Sequence, residues 1–249
     1  MSELLGFLGS VVGLWLCALF GARFVSSLGV AAGKEARDDF NLVLAASLTL
    51  LGLIIGFSFS MASNRYDLRK AYEEAEANAI GTEYLRAGLL PAADAAQVRT
   101  LLRRYLDERI DFYDTRDKRR LLQLGVRTSQ TQSQLWSAVQ AATLTQPSAV
   151  TVLVAAGMND VLNSEGYTQA AWWNRLPIEA WVLMVLIAML GNAMVGYSFG
   201  KGRARPALLL ILPVLLSIAF LLIADIDSPR SGVIHVAPQN LLALLATMR

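Results

Sequence analysis

The run from Leu42 to Met61 carries no charged residue and ends abruptly in Asn64-Arg65-Tyr66-Asp67-Leu68-Arg69-Lys70. About twenty residues at 1.5 Å rise match a hydrocarbon layer roughly 30 Å thick, so the run predicts a transmembrane helix that meets water at Arg65. Three further runs have the same character: Leu4 to Ala22, Ala180 to Gly200 with Trp172, Trp173 and Trp181 as interfacial anchors around its start, and Pro206 to Ala224. The composition agrees, because 55% hydrophobic against 17% charged residues and a mean hydropathy of +0.44 exceed what a water-soluble core needs. The surplus must face lipid. The first run lacks a basic leader, and Arg23 follows it without a small-residue cleavage site, so it is expected to be retained as a span.

Several function classes fall away early. A net charge of +2, with no basic tract interleaved with aromatics, argues against nucleic acid. The single cysteine, Cys17, lies within the first span, where packing is its expected role. His235 is also alone, and no Cys/His spacing fits a zinc site, so neither a metal nor a cofactor is expected. No nucleophile elbow, phosphate loop or zinc-binding helix is present, and the chain is not expected to be an enzyme.

Between the second and third spans, Ala62 to Arg175 repeats its apolar residues with helical period. Val98, Leu101, Leu102, Tyr105 and Leu106 form a stripe continued by Ile110 and Tyr113, while Arg99, Arg103, Arg104, Asp107, Glu108 and Arg109 cover the wet side. Pro91 stands near the start of this helix, and the charged run Asp114 to Arg120 is expected to cross its later turns. The polar run Thr128 to Gln134 is expected to begin another helix bearing Leu135, Trp136, Val139 and Ala142, which Pro147 interrupts. Ala149 to Met158 is apolar but too short to span, so it belongs to a buried core.

The expected fold is therefore all-α. It is an integral membrane protein with four transmembrane helices and a helical extramembrane domain between the second and third spans. The parts are residues 1–62 with two spans, 63–176 as the helical domain, 177–226 with two more spans, and 227–249 as a C-terminal tail. Nothing from Ser63 to Leu85 breaks a helix, with no proline and no glycine before Gly81, so the second span is expected to continue into the helical domain as one rod.

Two faces of that span carry the functional reading. Gly52, Gly56 and Ser60 lie near one line and invite close helix packing. Thr49, Leu53, Phe57 and Met61 lie beside them, and in a ring of copies they would form stacked apolar constrictions that gate by expelling water. The alternative is that both faces pack inside a monomeric four-helix bundle. At the membrane boundary, Arg65, Asp67 and Arg69 follow the second span while Asp225 and Asp227 end the fourth on the same side. A pair between Arg65 or Arg69 and one of these acids would offset the cost of leaving charge there, and anchoring alone is the plainer role for Arg65 and Lys70. Arg65, Arg69 and Lys70 would raise anion concentration at this exit, whereas Asp67, Glu73, Glu74 and Glu76 would do the reverse for cations, so the sequence does not name the ion.

The segment Leu53-Ile-Ile-Gly56-Phe57-Ser-Phe-Ser60-Met-Ala-Ser-Asn64-Arg65-Tyr66-Asp67 resembles the pore segment of bestrophins, the pentameric anion channels. Over nearly its full length the chain is similar to bacterial bestrophin-like membrane proteins. That likeness rests on this span, on Glu76-Ala-Asn78-Ala-Ile-Gly81-Thr-Glu-Tyr84-Leu-Arg86 with Leu89-Leu90-Pro91, and on Asp225-Ile-Asp227-Ser-Pro229-Arg-Ser-Gly232. The resemblance implies a multi-pass protein of the bacterial inner membrane, a homo-oligomer of five subunits, and inorganic ions as the transported species. The acidic run with which animal bestrophins clasp calcium is absent, and Tyr66-Asp67 stands where they carry an aromatic pair. Basic residues divide almost evenly between the two sides: Arg23, Lys34, Arg37, Lys201, Arg203 and Arg205 against Arg65, Arg69, Lys70, Arg175 and Arg230. The compact loop Lys201 to Arg205 favours an extracytoplasmic helical domain, whereas the resemblance favours a cytoplasmic one. An ion channel is the expected function. A non-conducting scaffold or sensor whose helical domain binds a partner, and a transporter, are the alternatives.

Overall fold

The computed structural model describes residues 2–23, 33–199, 207–230 and 232–248. The basic loop residues Lys201, Arg203 and Arg205 lie outside them, as do Gly200 and Pro206 at the ends of two predicted spans. Among the described residues the protein is all-helical, with α1 (Ser2–Arg23), α2 (Lys34–Arg86), α3 (Ala92–Asp114), α4 (Lys118–Thr145), α5 (Ala149–Trp173), α6 (Ile178–Phe199), α7 (Ile211–Asp227) and α8 (Gln239–Thr247). Four helical segments are long and apolar enough to cross a membrane: α1, α2, the segment Ala149–Phe199 that contains α6, and Leu208–Asp227. The chain forms two compact units, Met1–Asn64 with Arg175–Ser228 and Arg65–Asn174 with Pro229–Arg249.

In the first unit α1 packs mainly on α6 and then on α7. The α1–α6 contact is close because both backbones bear small residues. A Cβ on Gly21 would lie 1.8 Å from the carbonyl oxygen of Ala193, and one on Gly196 would lie 1.8 Å from that of Ala18. Only hydrogen fits at either point, which is the small-residue mode of packing helices in lipid. The hydroxyls of Ser10 and Ser217 meet at 2.8 Å between α1 and α7. Asp227, at the end of α7, accepts the Leu176 N–H with both carboxylate oxygens, at 3.0 and 3.1 Å, and so fixes the approach to α6. At most 39% of any of the four most apolar windows is buried, so their outer surfaces require a nonpolar surrounding.

The second unit is built on α3. Val98, Leu102, Tyr105 and Leu106 are completely buried, with Ile110 and Tyr113 nearly so, as the helical period predicts. Two residues assigned to the wet side are not there: Glu108 and Arg109 are buried. Arg109 lies inside because α2 supplies Glu76 as its partner, a relation that periodicity within α3 cannot reveal. The charged run Asp114 to Arg120 is likewise not the later part of α3. The helix stops at Asp114, and α4 starts at Lys118, where the Asp117 side chain accepts the Arg119 N–H at 2.9 Å. The next helix thus begins ten residues before the polar run, and Thr128 and Thr131 of that run are buried. Pro147 does separate two helices, and Ser148 opens α5 in a reciprocal cap, with Thr151 N–H donating to its hydroxyl and Thr151 Oγ1 accepting its N–H.

Trp172 is not an interfacial anchor. It is buried in the second unit, edge-on to Phe112 and Tyr113, with the Arg230 guanidinium 4.2 Å above its ring. Arg230 also donates to the carbonyls of Phe112 and Thr115, both at 2.8 Å, near the end of α3. The C-terminal segment is more than a tail, because Leu241 of α8 and Met248 just after it lie in the same core. Glu73 caps α8 by accepting the N–H groups of Asn240 and Leu241 at 2.9 and 3.0 Å, and Arg103 donates to the Met248 carbonyl at 2.9 Å.

Candidate functional site

Helix α2 divides lengthwise within the first unit. Leu51, Ser58 and Ala62 are buried and Leu44, Ser47, Leu48 and Ile55 partly so, a three- and four-residue recurrence that marks one side. That side rests on α6. The Leu48 side chain lies 3.2 Å from where a Cβ on Gly191 would stand, and the rings of Phe40 and Tyr197 are 4.7 Å apart.

At about 100° per residue, Thr49, Leu53 and Phe57 fall on the side away from these residues, and Met61 falls at its flank. Leu53 is 53% exposed, Phe57 62% and Met61 44%, while exposed Thr49 turns its hydroxyl back to the Ala45 carbonyl at 2.8 Å. Gly52, Gly56 and Ser60 lie beside this stripe and are also exposed, and a Cβ added at either glycine meets nothing within 4 Å among the described residues. Neither face is covered by the described residues of its own chain.

The boundary residues serve several ends. Asp67 is exposed, Arg65 and Asp225 are half-buried, and Arg69 and Asp227 are buried. Arg69 donates to the carbonyls of Ala171 and Asn174, at 3.2 and 3.1 Å, where α5 ends and its last carbonyls lack helical partners. Two of the acids expected to attract cations are committed elsewhere: Glu73 to α8, and Glu76 to Arg109, Tyr113 and Thr168. The charges left exposed or half-exposed along this stretch of α2 are Arg65, Asp67, Lys70 and Glu74.

The sequence model of the bestrophin-like domain matches residues 12–241. The chain belongs to the bestrophin-like family. Crystal structures agree in fold. One of a point-mutated bacterial bestrophin homologue from Klebsiella pneumoniae superposes with a TM-score of 0.69 at 11% identity, covering 100% of this chain and 96% of that one. A second structure of the Klebsiella pneumoniae homologue gives 0.66 at 14% identity, covering 98% and 95%. The comparison with curated proteins finds no match. This bestrophin-like membrane protein thus has the bestrophin fold with four candidate membrane-spanning helices.

Sequence reading missed the residues of the bestrophin-like protein that fasten its parts internally. Gly21 and Gly196 carry the close backbone contact of α1 with α6, although the spacing of Ala18 and Ala22 on α1 was a visible signal. Arg109 and Glu76 form the buried ion pair of the helical unit. Burial by itself would lower the Arg109 pKa, yet the Glu76 carboxylate holds it above its ordinary value. Burial, reinforced by the same carboxylate, pushes the Tyr113 hydroxyl up and keeps it a neutral donor.

Proposed function

We propose that this bestrophin-like protein is a homo-oligomeric ion channel whose constriction is made by Leu53 and Phe57 of α2, with Thr49 above and Met61 below. The observation that carries this reading is the apolar stripe of α2, which lies away from its packed side and is left open by the described residues of its own chain. Copies arranged around an axis, five in number by family likeness, would bring these stripes together, and Gly52, Gly56 and Ser60 would let neighbouring backbones approach. A narrow ring of Phe and Leu side chains excludes water, so ions pass only when the α2 helices separate or rotate. The medium is the lipid bilayer of the bacterial inner membrane, the passing species are inorganic ions, and no catalytic step is involved.

Two measurements test it. Gly56→Leu should block close approach and shift the purified protein from an oligomer toward monomers in detergent. A wild-type mass equal to one chain at every concentration would end the proposal. Phe57→Ala should widen the ring and raise ion flux several-fold in liposomes and planar bilayers, assayed with both anions and cations. Absence of flux from both the wild-type and Phe57→Ala proteins, with oligomers intact, would favour the non-conducting scaffold.

A further inference from the structure

Near the end of α2, within Gly81-Thr-Glu-Tyr84-Leu-Arg86, the Glu83 side chain is wholly buried. Neither carboxylate oxygen has a hydrogen-bond partner among the described residues. Its nearest cation, Arg86, stands 4.0 Å away with a partly exposed side chain, too far for a hydrogen bond. The backbone of α5 lies directly over the carboxylate: a Cβ on Gly157 would come 2.0 Å from Glu83 Oε2 and 2.3 Å from Arg86 Nη1. Glycine is what allows this approach.

The charged surroundings are sparse. Arg86 on α2 and Asp160 on α5 are the charges that act on Glu83. Arg99 of α3 is turned to the Tyr84 carbonyl at 3.2 Å and to the Tyr84 ring, and α8 presents apolar Leu244 beside Gly81. A carboxylate that is buried, makes no hydrogen bond among the described residues, and has only a partly exposed arginine at 4.0 Å against a second acid is costly when ionised, so the neutral acid is the form that fits.

We propose that Glu83 is a proton-operated latch between α2 and α5: protonated, it lies as a neutral group beneath Gly157, and loss of its proton to water drives the carboxylate outward and opens the contact. Burial pushes its pKa up to about 8, with Arg86 opposing and Asp160 reinforcing. An unfolded carboxyl titrates near its ordinary 4.5, so the latch contributes fully below that pH. Its contribution is lost as pH rises toward about 8, above which both states are ionised and nothing further changes. The latch concerns the helical unit and holds whether or not the protein conducts.

Hydrogen exchange on the purified full-length protein tests the latch at about pH 6.5 and about pH 9, values that bracket the raised pKa. After correction for the intrinsic pH dependence of exchange, amides of residues 149–160 in the wild type should exchange roughly tenfold faster at the higher pH. Glu83→Gln, neutral at both, should remove the difference. Gly157→Ala, whose methyl group displaces the carboxylate toward water, should also remove it and leave α5 fast-exchanging throughout. Infrared spectra of the wild type should show a protonated-carboxyl stretch at the lower pH that vanishes at the higher, a readout that survives if a variant fails to fold. Retention of the pH difference in either variant, or absence of that band at the lower pH, would overturn the latch.

Discussion

Glu76→Ala is expected to destabilise the helical unit by about 3–5 kcal/mol, the cost of leaving one partner of a buried ion pair uncompensated. Arg109 is 1% exposed and donates through Nε and Nη2 to the two Glu76 oxygens. Tyr113 and Thr168 donate to the same carboxylate, at 3.4 and 3.1 Å. Removing it strands a guanidinium and two hydroxyls together. Glu165 forms a longer ion pair with Arg109 Nη1 at 3.6 Å, but it is partly exposed and hydrated, so it offsets only a small part of the loss. Replacing both partners with apolar residues of similar size, Glu76→Leu with Arg109→Met, should recover most of the loss, because the stranded charge is then absent. Thermal melting followed by tryptophan fluorescence checks this, since Trp172 lies against Tyr113 and Phe112 in the same core. A melting temperature for Glu76→Ala equal to the wild type would show that the pair carries no stability.

Gly196→Leu should be at least as damaging in the membrane unit. Its Cβ would overlap the Ala18 carbonyl oxygen, which is backbone and cannot rotate away, so α1 and α6 must move apart along their contact. Overpacking typically costs about 1–3 kcal/mol where side chains can shift, and displaced backbone belongs at or beyond the upper end. Gly13→Leu is the control, since a Cβ there meets nothing within 4 Å among the described residues. Size-exclusion profiles of the detergent-solubilised proteins should show Gly196→Leu aggregated or lost and Gly13→Leu like the wild type. Equal profiles would mean that the two helices do not touch in this way.

Much of the architecture was legible because lipid imposes a strong, one-dimensional constraint: a charge-free run of sufficient length has few other uses, and Leu42 to Met61 announces a span without reference to any other residue. The α3 stripe from Val98 to Leu106 was legible for a similar local reason, its period matching the helix it forms. Where the prediction failed, the deciding interaction lay outside the local pattern. Asp117 could be taken for one more charge on a wet helix, but its carboxylate starts α4 and ends the run that preceded it. Trp172 sits beside a hydrophobic span in sequence, where an interfacial tryptophan is common, but folding places it among Phe112, Tyr113 and Arg230.

The sequence by itself determined that the chain is helical, that it needs a membrane, that α2 continues beyond the span, and which residues share each side of that helix. Those properties follow from hydropathy, length and the 3.6-residue turn, all of which act locally. Only the tertiary structure decided which side of α2 rests on α6 and which the described residues leave uncovered, since periodicity defines a face but not what it meets. It also decided that Glu73, Glu76 and Arg69 fasten the helical unit from within, and that Gly21 and Gly196 let the α1 and α6 backbones touch in the membrane unit. A charge or a glycine has no fixed role along the chain: its role depends on whether a distant helix brings it a partner or a close-packed backbone, and that is settled only when the helices assemble.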